Sequence, residues 1–315
     1  MIQALLHSAP WWAWLGFHLL VFLMLALDLG VFNRDSHAPS YKEAALWSVV
    51  WISLALVFNG VVWYAEGGVR AAEFLTGYLL EKSLSVDNLF VFVLLFTAFK
   101  VPPRNQHRIL YWGVLGALIM RATMILAGTA LLQRFEWMIF IFGGFLVFTG
   151  VKMLLFKEGE PTDPRNGAIA RTFRKFMPYD PDGGFTHFWH KIGPRHYATP
   201  MLMVLVIVEV TDLIFAVDSI PAVLAVTQDP FVVYTSNIFA ILGLRSLYFL
   251  LAKMVDRFHF LKFGLALILT FVGVKMCIAK FLHIPIALSL GIIALILAGC
   301  VTASLLRPRQ DGIQP

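Results

Sequence analysis

Long apolar runs decide which solvent this chain can fold in. Trp11–Val31 and Ile286–Val301 reach or approach the roughly 17–25 residues with which a helix crosses a bilayer. Hydrophobic residues make up 59% of the 315 and charged residues 14%, against about 45–50% and about 25% in soluble domains. An ordinary soluble enzyme, a disordered chain and a disulfide-rich secreted domain are excluded on that ground. Cys277 and Cys300 both lie inside apolar stretches, so neither a disulfide framework nor a cysteine metal site is indicated. The first run outlasts the apolar part of a signal peptide and ends at Asp28 with no evident cleavage site. It is expected to remain as a span.

Apolar runs separated by polar breaks predict nine helices, over 11–32, 44–65, 71–99, 109–132, 135–156, 199–226, 231–252, 258–281 and 284–306. The predicted fold class is an all-α polytopic membrane protein. Lysine and arginine are spread unevenly over the connections. One alternating set holds sixteen, seven of them in the 157–198 loop, while the other set holds three, Arg70, Arg134 and Lys280. Cytoplasmic loops carry the excess, which predicts an outside N-terminus and a cytoplasmic C-terminus. The net charge of +6 therefore reports topology, and no nucleic-acid partner is expected.

The chain also resembles itself. Ser85-Val86-Asp87-Asn88 matches Ala216-Val217-Asp218-Ser219, and six residues before each Asp stands another acid, Glu81 and Asp212. Each half then carries an Arg inside a helix, Arg121 and Arg245. Arg134-Phe135 leads to Gly150-Val151-Lys152-Met153 as Arg257-Phe258 leads to Gly273-Val274-Lys275-Met276, with 18 residues from Arg to Lys both times. Each copy holds three spans, an odd number, so the charge count sets the copies antiparallel. An inverted 3+3 repeat of this kind is a signature of secondary transporters. The expected organisation is two N-terminal peripheral helices (1–70), a first repeat (71–156), a basic cytoplasmic loop (157–198), a second, inverted repeat (199–282), and a last helix with a cytoplasmic tail (283–315).

Five acids fall within apolar helices: Glu81 and Asp87 in the third span, Glu209, Asp212 and Asp218 in the sixth. An Asp at a helix centre costs about 2.5–3.5 kcal/mol on insertion scales, so cations, protons or a water-filled cavity must compensate them. Residues six apart lie about 9 Å apart along a helix and roughly 120° around it, so Glu81 and Asp87 cannot share one ion from a regular helix. Pro221 supplies no amide for the carbonyl of Val217. Unwound segments at 84–88 and 216–220 are therefore expected, with Val217 the leading carbonyl ligand. The donors are all hard oxygen, with no Cys or His in either segment, which favours Mg²⁺, Ca²⁺ or Mn²⁺. Arg121 and Arg245 are the candidate charge-balancing groups, neutralising an empty site and displaced by the cation. Asp28, near the inner end of the first span, is a candidate vestibule residue.

Glu81-Lys82-Ser83-Leu84-Ser85-Val86-Asp87-Asn88, and the stretch from Glu209 through Asp212 and Asp218 to Pro221, resemble the two signatures of the TerC family. Ser236 to Arg245 resembles a third family segment. The whole chain, about 10–306, is similar in length and layout to the Alx-type branch, and the family groups with LysE-type exporters. The resemblance implies a bacterial inner-membrane protein of manganese homeostasis that exports Mn²⁺. Carried over by motif, the implied metal-site positions are Glu81, Asp87, Asn88, Glu209, Asp212, Asp218 and Ser219. Tellurite, which the family name suggests, is not expected, because buried acids repel an oxyanion.

The expected function is thus a secondary exporter of divalent cations, not an enzyme, with the lipid bilayer and the metal ion as partners and protons as a counter-ion. No cofactor is expected. Mn²⁺ is the implied cargo, ahead of Ca²⁺ or Mg²⁺. Two other readings are a non-transporting membrane scaffold acting in envelope or metal stress, and an intramembrane aspartyl hydrolase. In the 157–198 loop, His187 and His190 are placed to share a helix face as a metal sensor, or to be plain solvated histidines. Arg171 to Lys175, with Phe173 and Phe176 interleaved, suits anionic lipid.

Overall fold

Helices occupy the segments in which apolar runs predict them. The computed structural model describes residues 9–30, 41–135, 137–155, 164–251, 260–279, 281–282 and 284–306, without the side chains at 27–30, 86, 87, 90, 133, 251, 261, 262 and 305. In chain order the helices are α1 (Trp11–Gly30), α2 (Tyr41–Glu66), α3 (Gly68–Ala98), α4 (Pro103–Arg134), α5 (Met138–Leu155), α6 (Ala168–Phe176), α7 (Pro200–Leu224), α8 (Pro230–Leu242), α9 (Leu244–Leu251), α10 (Leu261–Ile278) and α11 (Ile286–Leu306). Proline opens α4, α7 and α8, where its missing N–H costs no helical bond. Among the described residues six apolar segments are long enough to cross a bilayer: α2, most of α4, α5, α7, Pro230–Leu250 and most of α11. Their outer surfaces expose large side chains such as Val57, Ile119, Phe148 and Leu295, as a surface solvated by lipid requires. The chain is a polytopic all-α membrane protein.

Packing follows the order of the sequence repeat. α3 packs on α8 and α4 on α7, so the first helix of each copy meets the second helix of the other. The third helices, α5 and α10, pack on one another, and their glycines show how closely. A Cβ added at Gly150 would meet the carbonyl oxygen of Ala266 at 2.7 Å, and one added at Gly273 would meet that of Gly143 at 2.7 Å. Gly150 and Gly273 are equivalent in the two copies, and Gly143 and Ala266 each stand seven residues earlier. The approach is reciprocal, and only small residues permit it. On the flank, Trp14 and Phe17 of α1 pack edge-on against Phe231 of α8.

Three expectations need correction. First, the helices do not unwind at 84–88 or 216–220: α3 and α7 run through both segments, and Pro221 sits inside α7. In α3 the Ser83 hydroxyl donates back to Leu79 O at 2.6 Å, so it is satisfied within its own helix. In α7, Pro221 removes a single amide, and the turns on either side hold. Second, the predicted seventh span is interrupted, between α8 and α9 at Gly243. Its N–H turns to the carbonyl of Ile241 instead of reaching a full turn back to Phe239.

Third, the basic loop is folded. It contains α6 and an antiparallel hairpin, β1 (Trp189–Ile192) with β2 (Arg195–Ala198), joined by Gly193-Pro194. Gly193 has φ +61°, the left-handed first position of a II′ turn. His190 lies in a strand, so it shares no helix face with His187. Its Nδ1 is 2.8 Å from Asp180 Oδ2, and this bond holds the Asp180 carboxyl below its ordinary value. The module docks on the start of α4, where Asn105 donates to Phe185 O at 2.7 Å and Arg108 to Thr186 O at 2.7 Å.

Candidate metal-cation site

A single guanidinium organises the interior. Arg121, midway along α4, is fully buried. Its Nε and Nη2 donate to the two oxygens of Asp212 on α7, at 3.2 and 2.9 Å, a two-pronged match of the fork to the carboxylate. Its Nη1 donates to Glu81 of α3 and, at 3.3 Å, to the Asn237 side-chain oxygen on α8. The Asn237 amide then donates to the other Glu81 oxygen at 2.9 Å. Glu81 and Asp212 are the equivalent acids of the two copies, and both are buried. One cation therefore holds two carboxylates at a point shared by four helices. Breaking such a buried set leaves an uncompensated charge and costs about 3–5 kcal/mol.

The other expected residues spread around this cluster. Glu209, one turn before Asp212, lies against Gly116 of α4, in the space that a side chain at 116 would occupy. Asp218 faces α5, where the Thr149 hydroxyl donates to it at 3.4 Å. Ser219 and Ser85 are buried, and among the described residues neither hydroxyl has a partner. Asn88 is buried. Val217 presents its side chain outward, while its carbonyl lacks the amide that Pro221 cannot supply. The side chains of Asp87 and Asp28 lie outside the described residues. The structure thus joins Glu81 and Asp212 and sets Asp218 apart. Among the described residues no three His, Cys, Asp or Glu side chains converge into a ready-made cage, because Arg121 stands between the two acids that meet.

Beside the cluster lies a small cavity of about 20 Å³, lined by Leu89, Leu110, Gly113 and Ile241 among others, with Asp212 and Arg245 as its charged walls. It has room for about one water or a bare ion. At the opposite ends of α3 and α8, Arg70 bridges Glu73 at 2.9 Å and Asp229 at 3.3 Å. Thr227 donates to Glu73 at 2.9 Å, and Asp229 caps α8. Gly77 is tight against Ser236 and Val223, and Gly128 against Leu224. Among the described residues the helices are tightly packed at that end, and the cavity lies toward the other.

Sequence reasoning assigned no role to Asn237, Thr149 or Lys82. The Lys82 ammonium donates to Ala240 O at 3.2 Å, beside the break at Gly243. A charge in an apolar run was the available signal for Lys82. Asn237 offered only its place in the third motif.

Residues 66–312 match the sequence pattern described as the integral membrane protein TerC family. An uncharacterized membrane protein of Myxococcus xanthus is 52% identical over 297 residues, covering 94% of this chain and 93% of its own. Proteins of Salmonella typhi and Escherichia coli K12, each named "Putative membrane-bound redox modulator Alx", are 50% and 49% identical over 289 residues. They cover 89% of this chain and 89% and 90% of their own lengths. No solved structure matches.

Proposed function

Because the chain belongs to the TerC family of integral membrane proteins, we propose that it is a secondary transporter exporting divalent cations, Mn²⁺ foremost, from the cytoplasm across a bacterial inner membrane. The observation that carries this reading is the sharing of Arg121 by Glu81 and Asp212, equivalent acids of the two copies. Two carboxylates against one guanidinium leave one negative charge in excess. A divalent cation that displaced the guanidinium would neutralise both, with Asn237 and Glu209 as neighbouring oxygen donors. Hard oxygen ligands of this kind suit Mn²⁺, Ca²⁺ or Mg²⁺.

The inverted repeat gives the site a direction. With the N-terminus outside, α3 descends and α7 ascends. Asp87 then stands about 9 Å to the cytoplasmic side of Glu81, and Asp218 about 9 Å to the outer side of Asp212. Along the membrane normal the acids would thus stand at three levels, Asp87 within, the Glu81–Asp212 pair at the centre and Asp218, on the α5 side of its helix, without. The cavity bordering Asp212 falls on the cytoplasmic side in this topology, and the Arg70–Glu73–Asp229 network on the outer side. On this reading the cavity would receive the ion from the cytoplasm. Rocking of one copy against the other would open the outer side, and protons would replace the ion on the emptied carboxylates.

The relatives' printed name speaks of redox. Cys277 and Cys300 are free thiols. Cys300 reaches Gly264 of α10, thirteen residues and so about 20 Å of helix from Cys277, too far for a disulfide. Uptake of Mn²⁺ into inside-out membrane vesicles tests the proposal. Wild-type vesicles are expected to accumulate Mn²⁺, and Asp212→Asn vesicles roughly tenfold less or lower still. Equal uptake by both, or none by the wild type, would refute it, and in the second case the scaffold reading takes its place.

A further inference from the structure

One charged side chain in the membrane interior has no part in the cluster around Arg121. Lys82 follows Glu81 directly on α3, yet its Nζ leaves the acids and reaches α8. There it donates to Ala240 O at 3.2 Å, with the Tyr78 ring 6.0 Å away. No ion pair involves Lys82 among the described residues. An ammonium kept within the bilayer core without a carboxylate is costly and is by default a functional group.

Its surroundings explain what holds it. α8 ends at Leu242, and the Gly243 N–H has turned to Ile241 O, so the last-turn carbonyls of α8 end at the break. A helix C-terminus carries about half a negative charge, and broken-helix carbonyls within membranes are places where small monovalent cations bind. The Nζ approaches so closely that a Cβ at position 243 would stand 2.9 Å from it. Glycine at the break leaves the room that the ammonium occupies, and a methyl group there would push it aside. The equivalent position in the other copy, five residues before Asp218, is Leu213, and α4 runs without interruption where α8 is broken. The cation and the break occur together, in one copy only.

We propose that the Lys82 ammonium is a tethered monovalent cation, filling a sodium- or potassium-type subsite at the Ala240 carbonyl beside the α8–α9 break. The chain carries its own occupant for this subsite, so the fold, and any transport it supports, needs neither ion from solution. Truncating the side chain empties the subsite and creates a dependence on a small free cation.

The test follows thermal unfolding of the full-length protein in detergent, in choline chloride against sodium, potassium and ammonium chloride at matched ionic strength and without divalent metal. Wild type is expected to unfold at the same temperature in all four salts. Lys82→Ala is expected to unfold lower in choline and to recover by a few degrees, saturably, with at least one small cation. Lys82→Met, which fills the space without charge, is expected to be lowered and unresponsive. Lys82→Ala as stable as wild type in choline, or lowered equally in all four salts, would overturn the proposal. Should Lys82→Ala not survive purification in choline, its recovery in the other salts decides: folded protein from a small cation alone supports the subsite, and failure in every salt refutes it. Because no divalent ion enters the assay, neither outcome bears on the metal-export reading.

Discussion

The two crossings at the heart of the molecule share one plan and differ in what flanks it. Where α3 meets α8, Lys82 reaches Ala240 and Gly243, with the Tyr78 ring beside it. Where α7 meets α4, Glu209 faces Gly116. Tyr78 and Glu209 each stand nine residues before their Asp, and Ala240 and Gly116 each stand five before their Arg. Equivalent places therefore hold groups of different charge, while Glu81 and Asp212, at the centre, remain alike and share one guanidinium. The difference teaches that the likeness of the two stretches is confined to the centre, where Glu81 and Asp212 share Arg121, and does not extend to what flanks it. One crossing has a cation and a broken helix; the other has an intact helix and an extra acid.

The largest effect is expected where the crossings converge. Arg121→Gln leaves Glu81 and Asp212 buried without their cation and should cost about 3–5 kcal/mol, seen as a steep fall in thermal stability. On the proposed function added Mn²⁺ should restore part of it, by standing where the guanidinium stood. A variant that is destabilised but blind to Mn²⁺ would break the idea of a shared centre.

Next come the third helices, where the copies should behave alike. Gly150→Ala and Gly273→Ala each drive a methyl group against a facing carbonyl and should lose about 1–3 kcal/mol by comparable amounts. Markedly unequal losses in chemical or thermal unfolding would show that the reciprocity of α5 and α10 is not one of energy. Gly116→Ala sharpens the contrast between crossings: its methyl group displaces the Glu209 carboxylate and should weaken Mn²⁺ binding several-fold in calorimetry. Gly243→Ala, at the other crossing, disturbs Lys82 and should leave that affinity nearly unchanged.

Much of this was legible in the residues, and the reason is physical. A carboxylate in a hydrocarbon-long run must be compensated, so Glu81, Asp212 and Arg121 stood out without any structure. Their direct pairing was within reach of the repeat, since equivalent positions meet near a twofold axis. Pro221 is where the sequence suggests a broken helix, whereas the break lies at Gly243. One proline removes one hydrogen bond, which a packed helix tolerates, whereas a glycine within Ile241-Leu242-Gly243-Leu244 looks like ordinary close packing until Lys82 is seen against it. The hairpin at 189–198 was missed although Gly193-Pro194 is a sound II′ turn signal, because a run of basic and histidine residues reads first as a solvated loop.

The smallest expected effect lies outside the membrane. The Asp180 carboxyl, held down by its bond to His190, gives the loop a stabilisation that is present above the ordinary carboxyl value of 3.8 and fades as pH falls through the lowered one. Asp180→Asn should loosen the hairpin slightly at neutral pH, measurable as faster amide exchange at 189–198, with no change at the central acids.

Anomalous X-ray scattering from crystals soaked in Mn²⁺ puts the central claim to the most direct test. The account predicts a peak within coordination distance of both Glu81 and Asp212, with the Arg121 guanidinium moved aside. A peak at other residues, with Arg121 still clasping both acids, would contradict it.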